Sequence, residues 1–73
     1  MTRLGEYLQA RSTNKSEVAR KTGLSKPRVS ELTINSTAKL RVEELYLIAL
    51  AIGVKPGELL EYVCEGVKLV DRK

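Results

Sequence analysis

The chain has no histidine. The commonest general base and the commonest zinc ligand are therefore missing. Its one cysteine, Cys64, allows neither an internal disulfide framework nor a paired-cysteine metal site. Two prolines and five glycines are too few for a collagen-like or low-complexity sequence. No apolar run approaches the roughly 20 residues that span a bilayer, so no membrane partner is expected. The opening stretch MTRLGEYLQAR lacks an apolar h-region, and no secretory signal is expected there. The expected compartment is the cytoplasm, where a lone thiol stays reduced. There is no Gly-rich phosphate loop and no nucleophile–base pair at motif spacing, so the sequence does not read as an enzyme. Nothing in it calls for a cofactor or a small-molecule ligand.

What is present suits one small soluble domain: 73 residues, 42% apolar and 30% charged. A chain this short buries only about 60% of the surface its unfolded form exposes, so its core must be well patterned. The net charge is +4 and the isoelectric point about 9.5, on the basic side used by nucleic-acid binders. The distribution is uneven. Residues 1–41 hold nine basic and three acidic side chains, a net +6, whereas residues 42–73 hold four basic and six acidic, a net −2. A basic half set against an acidic half favours one face presented to a polyanion.

The periodicity is helical throughout. Leu4, Tyr7, Leu8 and Arg11 fall at i, i+3, i+4 and i+7, predicting an amphipathic helix over Thr2–Arg11 that Thr2 can cap. Asn14-x-x-Glu17 has the form of a capping box for a helix over Lys15–Thr22 that buries Val18, Ala19 and Thr22. Gly23 stands where a left-handed residue would end it. Ser25 can cap a third helix with Pro27 in its first turn, Val29 and Leu32 inward, and an end near Thr33. Asn35-Ser36-Thr37 reads as a polar loop in which Asn35 can take positive φ. Val42, Leu45, Ile48, Ala49 and Ile52 make the inward stripe of a fourth helix over Arg41–Ile52, with Glu43 and Glu44 in its first turn. Gly53 ends it and Val54 packs. Pro56 opens a fifth helix to Cys64 with Leu59, Leu60 and Val63 apolar. The domain is expected over residues 1–66. Residues 67–73 form a tail whose Val67–Val70 segment reads as a short strand or an extended arm. Tyr7 and Tyr46 read as packing residues, and Arg3, Arg11 and Lys21 as plain surface.

The informative stretch is Lys15–Ile34, KSEVARKTGLSKPRVSELTI. Two helices crossing at 90–120° over so short a turn need a residue without steric penalty at the corner, which is Gly23. A small side chain, Ala19, lets the helices approach. Leu24, Val29 and Leu32 pin the second helix to the core, leaving Ser25, Lys26, Arg28, Ser30 and Glu31 facing out.

This segment resembles the helix-turn-helix of the Cro/cI-type (XRE) family of bacterial and phage regulators. The resemblance continues through Ile48-Ala49-Leu50-Ala51-Ile52-Gly53-Val54 and Lys55-Pro56-Gly57-Glu58-Leu59-Leu60, and covers about residues 2–62. It departs from the family at Lys15, where glutamine is common, at Thr33, where glutamate is, and at Asn35, where glycine is. The resemblance implies an all-α fold, a five-helix bundle of the lambda-repressor-like DNA-binding type, with a short extended C-terminal tail. It implies a sequence-specific double-stranded DNA-binding transcriptional regulator, with the third helix in the major groove. Lys26 and Arg28 become candidates for guanine N7 and O6. Ser30 can reach a base or a phosphate, and Glu31 can accept from cytosine N4 or orient Arg28. Pro27 has no donor and receives no role. Asn14, Lys15, Ser25, Ser36, Thr37 and Lys39 are candidates for phosphate.

One recognition helix reads too few base pairs to find a site in a genome, and the usual answer is a two-fold dimer on a pseudo-palindrome. Leu59 and Leu60 are expected in the core. Tyr62, Val63, Val67, Leu69 and Val70 then remain as a residual apolar patch, a candidate homodimer interface, unless the tail folds back over its own core. The alternative function is an XRE-like antitoxin or interaction module, in which the C-terminal surface binds a different polypeptide.

Overall fold

The computed structural model describes residues 1–70, so the end of the expected tail, residues 71–73, lies outside the described residues. Five helices run in order: α1 (Arg3–Ala10), α2 (Lys15–Thr22), α3 (Lys26–Ile34), α4 (Val42–Ile52) and α5 (Pro56–Val63). There is no strand among the described residues. The helix starts obey the local chemistry of the sequence. Thr2 Oγ1 accepts from the Gly5 amide at 3.0 Å, Asn14 Oδ1 from the Ser16 and Glu17 amides at 2.8 and 3.3 Å, and Ser25 Oγ from the Arg28 amide at 3.2 Å. Each satisfies donors that the first turn leaves open. The Asn14 box is only half built. Glu17 turns outward to Arg20, at 2.7–3.0 Å, instead of reaching back.

Gly23 ends α2 at φ 81°, with its amide on Ala19 O, and a side chain there would meet nothing within 4 Å. Glycine is required at this corner for its backbone angle, not for room. Asn35 does not take positive φ. It sits at −89°, and its Oδ1 accepts from the Thr37 amide at 3.0 Å and the Thr37 hydroxyl at 2.7 Å, which closes the loop after α3. Among the described residues the non-glycine residue at positive φ is Ser12, at 55°, between α1 and α2.

The helices α1 and α2 pack against α3, α2 also packs against α4, and α5 packs against α4 and α1. Leu4, Leu8, Val18, Val29, Leu32, Ile48, Ala49 and Leu59 form the centre of the core. α1 is further tied to the end of α3. The Thr2 amide donates to Thr33 O at 3.0 Å and the Thr2 hydroxyl to Leu32 O at 2.7 Å.

The apolar pattern overstates the core in three places. Val42 is 83% exposed, Tyr46 52% and Leu60 47%. The inward stripe of α4 is Leu45, Ile48, Ala49 and Ile52, and Val42 is not part of it. Arg3, expected as plain surface, is a latch. Its guanidinium lies 4.1 Å from the centroid of the Tyr62 ring, donates to Tyr62 O at 3.2 and 3.3 Å, and pairs with Glu65. Tyr7 meets Tyr62 edge-on, with centroids 4.9 Å apart. Residues 67–70 have no regular structure, and Val67, Leu69 and Val70 are 76%, 99% and 74% exposed. The tail residues described therefore do not fold back over the core.

Candidate nucleic-acid interface

Helix α3 packs on the core through Val29, Leu32 and Thr33. At 100° per residue the opposite side carries Pro27, Glu31 and Ile34, with Ser30 at its edge. Lys26, Pro27, Glu31 and Ile34 are exposed, and Ser30 is half-buried. Ile34 is 59% exposed and was not among the sequence candidates. An apolar side chain on a recognition surface suits contact with a thymine methyl group. The sequence reading ends the helix near Thr33 and so leaves Ile34 outside it, whereas α3 runs to Ile34.

Three lysines in and beside the motif are exposed: Lys15 at the start of α2, Lys26 at the start of α3, and Lys39 in the loop before α4, whose carbonyl accepts from Arg28. Among the described residues none of the three is in an ion pair. Ser25, Ser36 and Thr37 are also exposed near them. The Ser25 Oγ is occupied as a cap acceptor, and the Thr37 hydroxyl donates to Asn35. The Asn14 carboxamide oxygen is occupied at the start of α2, which leaves its amide nitrogen as the side chain's donor.

Arg28, expected at a base edge, is held within the chain by carboxylates and a carbonyl. Its Nε and Nη2 donate to the two carboxylate oxygens of Glu44 at 2.8 and 3.0 Å, a bidentate fork. Nη2 also donates to the Lys39 carbonyl at 2.8 Å, and Nη1 to Glu31 Oε1 at 2.7 Å. All three guanidinium nitrogens are thus engaged within the chain. Glu44 in turn accepts from the Arg41 amide at 2.9 Å, closing the first turn of α4. Hydrogen bonds from Arg28, above all, hold the Glu44 carboxyl below the ordinary carboxylate range, and Glu44 and then Glu31 raise the guanidinium further above its own. The physical consequence is a clamp. Arg28 joins α3, the next loop and α4, and its charge is cancelled locally.

Of the expected interface residues, Tyr62 and Val63 are only half-exposed, Tyr62 held by Arg3 and Tyr7 and Val63 packed against the core. Val67, Leu69 and Val70 project into solvent. The sequence did not show that α4 presents Val42 and Tyr46, and α5 Leu60, along one groove. No helix among the described residues is long and apolar enough to cross a membrane, and no cluster of three metal-ligating side chains occurs among them.

The fold, the glycine corner and the exposed helix after it define a helix-turn-helix DNA-binding domain. The family model for the Cro/C1-type HTH DNA-binding domain matches residues 3–65, and the chain belongs to that family. No curated protein and no solved structure matches it.

Proposed function

We propose that the protein is a sequence-specific transcriptional regulator of bacterial, phage or mobile-element type, a cytoplasmic protein without enzymatic activity, that binds double-stranded DNA as a homodimer and reads the major groove with α3. The observation that carries this reading is the exposed face of α3 with three exposed lysines, in and beside the motif, that no carboxylate neutralises among the described residues. In this reading Lys26 and Ser30 address base edges, with Glu31 and Ile34 beside them. Lys15, Asn14, Ser25, Ser36, Thr37 and Lys39 meet phosphate on the two sides of the groove. Arg28, engaged by Glu44 and Glu31, orients the helix rather than reading guanine.

Duplex binding is expected to be steeply salt-dependent. Neutralising about three to five phosphates per subunit gives a log–log slope of roughly −2.7 to −4.5 per subunit. Titration of a selected operator at several salt concentrations measures it, and a flat response sinks the reading. Within the site, two lysines should behave differently. Lys26→Ala is expected to lower discrimination at one base position by roughly 5- to 150-fold. Lys39→Ala is expected to weaken all duplexes alike and to reduce the slope by about 1. Binding-site selection on both variants separates the two roles.

A further inference from the structure

The outward strip of α3 is short of hydrogen-bond donors. Pro27, Glu31 and Ile34 fall within about 60° of arc, on the side away from Val29 and Leu32. All three are exposed, Ile34 at 59%. Pro27 and Ile34 have apolar side chains, and the carboxylate of Glu31 only accepts. Arg28, the cation beside the strip, gives its donors to Glu44, to the Lys39 carbonyl and to Glu31. Lys26 stands about 100° round the helix from Pro27, on the flank of the strip.

We infer that this strip selects pyrimidines on the strand it faces. Pro27 and Ile34 each meet the C5-methyl group of a thymine, and Glu31 between them accepts from the N4 amino group of a cytosine. The inference rests on the DNA reading above and names the bases under α3. The groove edges make the choice. Guanine shows two acceptors, N7 and O6, and adenine shows N7 beside its amino group. A strip without donors pairs with none of these acceptors, and covering them strips their water without return. Thymine presents a methyl group, the apolar feature of the major groove, which Pro27 and Ile34 can cover without any donor. Cytosine presents an amino donor, which a carboxylate matches.

A carboxylate between phosphate chains needs a compensating charge, and Glu31 has one. Its Oε1 accepts from Arg28 Nη1 at 2.7 Å, whereas Oε2 accepts no hydrogen bond among the described residues. Oε2 is the atom that receives the cytosine. The spacing sets the order of bases. Pro27 and Ile34 are seven residues apart, about 10.5 Å of helix. With α3 along the groove that is about three base-pair steps of roughly 3.4 Å. Glu31 lies between them, nearer Ile34. Each half-site therefore carries two thymines about three steps apart, with the cytosine between.

Replacing thymine by uracil removes the methyl group and leaves base pairing unchanged. An operator is selected from random duplexes with the full chain, and each of its thymines is then replaced by uracil in turn. Two positions in each half-site are expected to weaken binding by about fourfold apiece, the effect of one buried methyl group. In Ile34→Ala the uracil effect should vanish at one of the two and persist at the other, and in Pro27→Ala the reverse. Glu31→Ala should relax the preference for the intervening cytosine by about fivefold or more. Pro27 and Ile34 are exposed, so their variants should keep the Tm of the parent, and the uracil scan on the parent chain needs no variant. A selected operator that tolerates uracil at every position overturns the inference. So does uracil sensitivity that survives in both variants, or a Glu31→Ala chain that binds all duplexes more weakly with its cytosine preference intact. Failure of the DNA reading looks different: no sequence is recovered from the random duplexes, and the inference falls with it.

Discussion

Gly5→Ala should cost a large part of the stability of the fold, although alanine is ordinarily the better helix residue by roughly 1 kcal/mol. Gly5 is buried inside α1, where that helix crosses the end of α3. A Cβ there would be driven into the Thr33 carbonyl oxygen, with Met1 Cγ 2.7 Å away on another side. The carbonyl cannot retreat cheaply. It accepts from the Thr2 amide at 3.0 Å, and the neighbouring Leu32 carbonyl accepts from the Thr2 hydroxyl at 2.7 Å. Moving α1 away breaks both bonds and opens the core under Leu4 and Leu8. Overpacking of this kind against backbone costs about 3 kcal/mol or more. A domain of this length has only about 4–11 kcal/mol in hand. At roughly 4–8 °C per kcal/mol, Tm should fall by about 12–24 °C. Gly57→Ala is the control. It lies in the first turn of α5 with nothing within 4 Å of the added carbon, and should be neutral or stabilising by about 0.5 kcal/mol. Thermal melts of the two variants decide the matter. An unchanged Tm for Gly5→Ala would show that α1 and α3 are not in such close contact.

That glycine also marks the boundary of what the sequence reveals. Features whose cause is local were legible. Thr2, Asn14 and Ser25 cap helices because the open amides they serve lie within three residues, and Gly23 turns a corner because of its own φ. Features whose cause lies across the chain were not. Gly5 carries no local signal, since the atom that forbids a side chain belongs to Thr33. Arg28 reads as an outward recognition residue because its acceptor, Glu44, stands sixteen positions on and looks like a helix-dipole carboxylate. Arg3 reads as surface because Tyr62 is fifty-nine positions away. The α4 stripe was read one turn too wide, at Val42, because periodicity reports which side of a helix is apolar and not how far its neighbour extends. The same limit hid the groove, which needs two helices to exist. The exposure of Lys15, Lys26 and Lys39 was legible, because each stands at a helix start or in a loop that the sequence marks locally.

Glu44→Ala should produce the second large effect, and it also tests what Arg28 is for. Glu44 is 7% exposed, and its carboxylate holds Arg28 through two hydrogen bonds and the Arg41 amide through a third. Hydrogen bonds to a charged group contribute about 1.5–3 kcal/mol, and loss of a helix cap costs about 0.5–2 kcal/mol. The terms share one side chain and do not add, so the expected loss is about 3 kcal/mol. The clamp has a pH signature. The Glu44 carboxyl is held below its ordinary value in the folded chain, chiefly by Arg28, and Arg20 does the same for Glu17. Between the unfolded value near 4.3 and the lower folded one, the unfolded chain binds more protons. The stabilisation is complete above that window and is lost as pH falls through it. Glu44→Gln should be less stable at neutral pH, yet lose less on acidification than the parent. Arg28→Ala then separates the two roles. A positioning role predicts weaker binding to every duplex, in step with a lowered Tm and with base preference intact. Relaxed preference at one base pair, with Tm unchanged, would return Arg28 to the groove and make its fork with Glu44 a resting state that DNA displaces.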